Sequence, residues 1–204
     1  MPRPRSFYLR GLIVCAALAA SNVHAQSQDL TYFTGITRLA CEALLCLSSS
    51  AGGATSACNP ALSHFYGIKE KYLSDTIAAR LSFLQQCPVS AQTPEMQTLT
   101  DSMANGAGRC DAESLNRVLG SWSMDGKGRQ WVTISDKLPA YCSAYVQHEL
   151  TDLVQTTPVY VGTVKEGGYW VAPEDYDTEL IKYQEALEKR KKEEENYWRN
   201  HSSW

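Results

Sequence analysis

The residues of this chain whose type and spacing are best suited to chemistry are its cysteines. Six lie in the body of the sequence, at Cys41, Cys46, Cys58, Cys87, Cys110 and Cys142. No two of them have the two-residue separation typical of a zinc site, and no histidine pair has ligand spacing, so we expect no metal and no cofactor. An even number of cysteines instead predicts three structural disulfides, formed in an oxidising compartment.

Few other side chains indicate a reaction. His64 and His148 lack a neighbouring partner motif, so we expect them to be structural. Glu113, followed by Gly126 to Gln130, loosely resembles the catalytic segment of lysozyme-like lytic transglycosylases, which would require the glutamate to be protonated in an apolar pocket. An acid in the first turn of a helix is also what the helix dipole favours. We therefore expect no enzyme and no catalytic residue, with a peptidoglycan-remodelling lytic enzyme that uses Glu113 as the alternative.

The first 25 residues have the composition of an export signal. Three arginines precede an apolar run from Gly11 to Ala20, and small residues lie before a cleavage site between Ala25 and Gln26. The run is shorter than the roughly 20 apolar residues that span a bilayer, so we expect a periplasmic mature chain without a membrane span. A lipid-modified Cys15 is the alternative interpretation.

The mature chain has a size and charge that exclude several classes of protein. Residues 26 to 204 suit one domain with a tail. Loss of the three arginines of the signal takes the formal net charge from −3 to −6, because the signal contains no acid. No basic cluster of the kind that neutralises a phosphate backbone is present in the sequence, so we expect no direct nucleic-acid partner.

The elements that must position the cysteines are mostly helical. Apolar residues recur at helical spacing between residues 36 and 47, and Asn59-Pro60 begins a short helix that Gly67 ends. Further helices are predicted from Ser74 with an apolar face of Ile77, Leu81 and Leu84, from Thr93 to Gly106, from Asp111 to Gly120, and from Pro139. Residues 48–57 and 121–129 are predicted loops, with a brief strand at 131–134.

Near the end of the sequence the spacing of apolar side chains changes from a helical to an alternating pattern. Residues 158–164 and 169–171 alternate β-branched and aromatic side chains around a Gly167-Gly168 turn, which predicts a β-hairpin. After Pro173 a charged helix follows, which we expect to be an exposed or frayed tail, with a partner-binding helix as the alternative. The predicted fold is mainly α (α+β): a disulfide-stapled helical domain over 26–172 that ends in a small hairpin, and a charged helical tail over 173–204.

One block has a more specific pattern. It comprises CEALLCLS at 41–48, CNPAL at 58–62, FYGI at 65–68 and RLSFLQQCP at 80–88, and later PVYVG at 158–162 and GGYWV at 167–171. In order and spacing these segments resemble the TrbM/KikA/MpfK family of conjugal-transfer proteins, over roughly residues 35 to 172. The charged tail lies outside the resemblance.

The resemblance implies a periplasmic, non-enzymatic accessory of plasmid conjugation that supports mating-pair formation. Its partners would be protein components of a type IV secretion system or a pilus, and a chaperone for pilus components differs from this role only in the partner. No catalytic residue is implied. Among the aromatic residues of the hairpin, Tyr160, Tyr169 and Trp170 are a candidate partner surface, and core packing is the alternative role for them.

The number of possible disulfide pairings among six cysteines is 15. Cys41 and Cys46 point about 140° apart on one predicted helix, so they should not bond to each other. The block that resembles the family is compatible with a scaffold in which Cys46 bonds to Cys58, Cys41 to Cys87, and Cys110 to Cys142.

The export signal gives a direct prediction. The mature protein should begin at Gln26 and should be released from cells by osmotic shock, because the signal is cleaved on export. N-terminal sequencing of the released protein measures this. A retained Met1, or a lipid on Cys15, would contradict the periplasmic assignment.

Overall fold

The computed structural model describes residues 33–124 and 130–201 of the 204-residue chain. The predicted signal, its cleavage site at Ala25 and Gln26, and Cys15 lie outside these residues. Within the described part, no helix is both long enough and apolar enough to cross a membrane.

The described residues form seven helices and four short strands. The helices are α1 (Gly35–Ser48), α2 (Asn59–Gly67), α3 (Leu73–Leu84), α4 (Pro94–Gly106), α5 (Ala112–Val118), α6 (Ala140–Val146) and α7 (Tyr176–His201). The strands are β1 (Gly120–Met124), β2 (Gln130–Ile134), β3 (Val159–Val161) and β4 (Tyr169–Val171). This architecture confirms the predicted mainly helical fold with disulfides, a C-terminal hairpin and a long charged helix.

The core lies where α1 meets the helices that follow it. Ala40 and Ala43 on α1 are completely buried, and their small side chains let the neighbouring helices approach closely. The start of α4 is fixed by Thr93, whose hydroxyl accepts a hydrogen bond from the Met96 amide at 3.2 Å, and by Pro94 in the first turn. These contacts place Met103 of α4 in the centre of the core.

Helix α3 buries the predicted apolar face together with polar residues beside it. Leu84 is completely buried, and Ile77 and Leu81 are partly buried against the core. Thr76 and Arg80 are buried as well. Apolar periodicity could not identify Arg80 as buried, because its burial depends on the aromatic rings that its guanidinium faces.

The predicted loop at 121–129 begins with strand β1, which corrects that part of the prediction. Strands β1 and β2 pair antiparallel, with Trp122 opposite Val132 and Ser121 opposite Thr133. The Ser121 and Thr133 hydroxyl oxygens lie 2.9 Å apart across the ladder. Two serines and a glycine in β1 gave the segment the composition of a loop, so the cross-strand pairing could not be predicted from composition.

The first half of α7 packs on the second hairpin, which is a second correction, whereas residues 188–201 are exposed as predicted. Tyr183 is 6% exposed and lies in a cluster with Val161 and Val171 of the hairpin. Further along the helix, Arg190 Nη2 donates to the Glu166 carbonyl at 2.7 Å. The helical stripe that includes Tyr176, Leu180 and Leu187 therefore serves to dock α7.

A glycine makes this docking possible. Gly162 has a φ of +80°, and a Cβ atom there would lie 2.2 Å from Cζ of Tyr183. Both the backbone conformation and the contact with the tyrosine ring therefore require glycine at this position.

Replacing Gly162 with alanine should lower the free energy of unfolding by about 2 to 4 kcal/mol, because strain at positive φ adds to overpacking. The control is Gly67→Ala at the end of α2, where a Cβ would have no atom within 4 Å. Urea denaturation of both variants measures the difference. Equal stability of the two variants would contradict the packing of Tyr183 on Gly162.

Candidate interaction site

Three disulfides connect the helical body. The first bridge joins Cys41 to Cys87 with a Cα separation of 4.9 Å, the second joins Cys46 to Cys58 at 5.8 Å, and the third joins Cys110 to Cys142 at 5.5 Å. They are the same three pairs as those expected from the sequence. The first bridge links α1 to the turn after α3, and the third links the turn before α5 to α6.

The second bridge closes the loop that follows α1, and a close backbone contact determines how the loop folds. A Cβ at Gly52 would lie 1.8 Å from the Cys46 carbonyl oxygen, so only glycine fits there. The Ser50 amide donates to a carboxylate oxygen of Asp152, and the Ser50 hydroxyl donates to the other at 3.2 Å. The loop is thereby tied to the segment that follows α6.

An apolar groove opens beside the first bridge. We call it the Leu45 groove; its volume is about 340 Å³, and it is lined by Cys41, Leu44, Leu45, Ser48, Val89, Met96, Leu99 and Leu150. Leu45 is 54% exposed at its rim, and Leu150 is also exposed. A groove of this size and lining can accept an apolar side chain from another molecule.

His148 positions one wall of the Leu45 groove. Its Nδ1 accepts a hydrogen bond from the Leu150 amide at 3.2 Å, so its Nε2 donates to the Thr98 hydroxyl at 3.1 Å. The Thr98 hydroxyl donates in turn to the Glu95 carbonyl. These bonds hold Leu150 against α4, which supports the structural role expected for this histidine.

A buried arginine holds three elements of the body together. Arg80 is 8% exposed, and its guanidinium lies 4.8 Å from the ring centre of Phe65 and 5.8 Å from that of Tyr66. Its Nη1 donates to the Ala107 carbonyl at 3.3 Å, and its Nε is buried with no hydrogen-bond partner among the described residues. Arg80 thus joins α3 to α2 and to the turn after α4.

Burial dominates the electrostatics around this arginine. Desolvation lowers the pKa of Arg80, and the nearby Tyr66 acts in the opposite direction. Desolvation also raises the pKa of Tyr66 and, more strongly, that of Tyr145. Tyr145 donates its hydroxyl to the Leu47 carbonyl, so the buried phenol is satisfied in its neutral form. The cluster has the properties of a packed core and not of a proton-transfer site.

The remaining histidine and the glutamate considered for catalysis lie in different surroundings. His64 is exposed on α2 and packs its ring on Phe83, with the ring centres 4.6 Å apart. The Glu113 side chain is 87% exposed and forms an ion pair with Arg117 at 3.1 Å. This exposure is unlike the apolar pocket in which a glutamate remains protonated as a general acid. Of the glycine-containing segment considered together with Glu113, residues 126–129 lie outside the described part.

The described residues also contain no group of three or more histidine, cysteine, aspartate or glutamate side chains arranged to hold a metal ion.

The aromatic residues proposed as a partner surface are instead used in internal contacts. Trp170 is 6% exposed, and its Nε1 donates to the Ser135 carbonyl at 2.9 Å. Its backbone amide donates to the Asn116 side chain at 2.7 Å, and its carbonyl accepts from the same side chain at 2.8 Å. The core-packing alternative therefore describes this tryptophan.

The two tyrosines of the hairpin are half-buried and hydrogen-bonded in the same way. The Tyr160 hydroxyl donates to the Ile134 carbonyl at 2.7 Å, and its ring lies edge-on to that of Trp170. The Tyr169 hydroxyl donates to Glu179 of α7 at 3.0 Å, and its pKa is raised by burial and by this bond. Both contacts fasten the hairpin to its neighbours.

Sequence reasoning missed two features of the site. The first is the burial of Arg80. The only indication of it in the sequence is that this arginine follows the Phe65-Tyr66 pair within the same block. The second is the Leu45 groove, because periodicity identifies the buried face of α1 and says nothing about which exposed leucine lies beside a cavity.

The comparisons with known proteins give one match. A protein-family model described as TrbM matches residues 32–184, which is 153 of the 204 residues. The match extends beyond the hairpin into the part of α7 that packs on it. No curated protein and no solved structure matches the chain.

The bridges should differ in how much they stabilise the fold. They close sequence separations of 46, 12 and 32 residues for the first, second and third bridge. Replacing both cysteines of a bridge by alanine should cost about 4 kcal/mol for the first and third and about 3 kcal/mol for the second, because longer closed loops restrict the unfolded chain more. Urea denaturation of the three double variants measures this order.

Peptide mapping of the unreduced, thiol-blocked protein by mass spectrometry is the accompanying control. It should yield the three cross-linked peptide pairs. Recovery of six alkylated cysteines would contradict the disulfide framework and would reopen a metal or redox role.

Proposed function

The chain belongs to the TrbM family of conjugal-transfer proteins, and we propose that it acts in the periplasm as a non-enzymatic accessory of plasmid conjugation. In this role it supports mating-pair formation or assembly of the type IV secretion system through contacts with other proteins. The family match is the observation that carries this proposal.

The cysteines support the proposed compartment. Three disulfides of the kind seen here form and persist in oxidising environments such as the bacterial periplasm. The N-terminal signal predicted from the sequence would deliver the chain there.

The surroundings of the reactive side chains support a non-enzymatic role. His148 and Tyr145 form hydrogen bonds within the body, His64 packs on an aromatic ring, and Glu113 is solvated and ion-paired. A catalytic group requires a partner within hydrogen-bond reach and a site for the reacting atoms. The contacts of these residues favour structural roles instead.

The Leu45 groove is the surface through which we expect a partner to bind. Its lining is almost entirely apolar, so its occupant is an apolar side chain of a protein component of the transfer machinery. The first bridge lies in one wall, and the Asp152 amide donates to the carbonyl of Ser48 in the lining at 3.1 Å, so the groove is preformed and binding costs little ordering of the chain.

A charge in the groove should disrupt this contact. Leu45→Arg should lower the frequency of conjugative transfer about ten-fold or more, because an unpaired charge in an apolar contact costs more than the 1.4 kcal/mol that corresponds to one factor of ten. The matched control is Leu73→Arg at the start of α3, since Leu73 is 52% exposed and lies outside the groove lining. Mating assays on a donor that lacks the native gene measure both.

The two variants must be present at equal levels in the periplasm. Immunoblotting of the protein released by osmotic shock measures these levels. Equal transfer by both variants would contradict the groove as the contact surface.

A donor that carries Glu113→Gln should transfer the plasmid at the wild-type frequency, and a loss of transfer in that variant would favour the lytic enzyme.

A further inference from the structure

The charged residues that flank the Leu45 groove are acidic. Glu42, Glu95 and Glu149 each lie next to a lining residue in the sequence, and no lysine or arginine lies next to any of the eight lining residues. A cation does lie one turn before Glu42, but this Arg38 is already paired with the Glu42 carboxylate at 2.6 Å. The charge that remains beside the groove is therefore negative.

Three carboxylates near the groove have no cationic partner among the described residues. They belong to Glu95, Glu149 and Asp152, which are all exposed, and we call them the acidic rim. Hydrogen bonds from its own backbone amide and from the Thr93 hydroxyl lower the pKa of Glu95. The Asp152 carboxylate accepts hydrogen bonds from the amide and hydroxyl of Ser50, which are neutral groups, so its charge is not compensated.

Two residues of the acidic rim are held in place beside the lining. The chain from His148 to Asp152 runs between α4 and α1, because His148 is hydrogen-bonded to α4 and the Asp152 amide donates to the Ser48 carbonyl at 3.1 Å. Leu150 in the middle of this segment lines the groove. Glu149 and Asp152 therefore lie on either side of a lining residue in a segment that is fixed at both ends.

The C-terminal end of α1 adds to the negative potential. Ser48 is the last residue of α1 and lies in the lining of the groove, and the last turn of α1 contains no basic side chain. The carbonyl groups at the end of a helix carry partial negative charge, which favours a cation nearby. The groove thus combines an apolar centre with a negative border, and electrostatic complementarity requires the opposite charge on its occupant.

We propose that the occupant of the Leu45 groove is a basic amphipathic segment of the partner protein, in which a large apolar side chain lies between lysine or arginine residues. This inference rests on the proposed function, because it gives the chemistry of the partner that the groove contacts. The apolar side chain fills the groove, and the cations lie over the acidic rim. Repulsion between like charges disfavours segments with acidic flanks.

Photocrosslinking in mating donor cells identifies the occupant. The full-length protein carries a benzophenone amino acid at position 45, and the attached peptide is sequenced by mass spectrometry. It should belong to a different protein and contain at least two lysines or arginines within about four positions of the attached residue, because such neighbours share one side of a helix. A peptide with uncharged or acidic flanks, a peptide of a second copy of this chain, or the absence of any adduct would overturn the inference.

Charge reversal on the acidic rim measures the electrostatic contribution. Glu149→Lys should lower the frequency of conjugative transfer about three- to ten-fold, because it replaces an attraction between exposed charges by a repulsion. Glu149→Asp keeps the charge and should transfer at the wild-type frequency. The matched control is Glu70→Lys, since Glu70 is exposed in the connection between α2 and α3 and lies outside the groove lining.

The outcomes separate the charge of the occupant from the role of the groove. Wild-type transfer by Glu149→Lys at a normal periplasmic level overturns the basic partner, and so does an equal loss of transfer in Glu70→Lys. If Leu45→Arg lowers transfer in that same assay, the groove remains the contact surface and only the charge of its occupant is wrong. If Leu45→Arg also transfers normally, the proposed role of the groove fails as well.

Discussion

Two cysteines on different sides of α1 constrain the whole helical body. Cys41 and Cys46 lie five residues apart, about 140° around the helix, so they cannot share one partner element. Cys41 is bonded to the turn after α3, and Cys46 is bonded to the start of α2. Once α1 is held on both sides, α2 and α3 must pack against its remaining faces. The alanines at positions 40 and 43 suit this requirement, because larger side chains would keep the helices apart.

Covalent constraint ends at Cys142 among the described residues, and hydrogen bonds and packing hold the hairpin and helix beyond it. The second hairpin is attached through Trp170, whose backbone and side chain use Asn116 and the Ser135 carbonyl. Helix α7 is attached to the hairpin through Tyr183 on Gly162. A segment held by a few non-covalent contacts opens locally at lower free energy than one closed by disulfides. We therefore expect the second hairpin and α7 to open at a lower free energy than the disulfide-closed helices.

The sequence predicted those features that depend on local spacing. The helix at 35–48 and its cysteines were visible from periodicity, and the Asn59-Pro60 start and the Gly67 end of α2 from capping residues. Three features depended on tertiary contacts instead. Arg80 is buried because Phe65 and Tyr66 cover it, β1 exists because β2 pairs with it, and α7 docks because the hairpin presents an apolar face. The apolar stripe on α7 was visible, but the density of charges favoured a solvated helix.

The distribution of polar and apolar groups is the physical basis for the contact role that we propose. Most side chains that could do chemistry are engaged internally: six cysteines in bridges, His148 beside Leu150, and Tyr145 on a backbone carbonyl. The groups left facing solvent include Leu45 at a groove and Trp122 on strand β1. Apolar side chains that remain exposed to water are unfavourable at those sites. Covering them with protein removes this penalty, and it does so without any reaction.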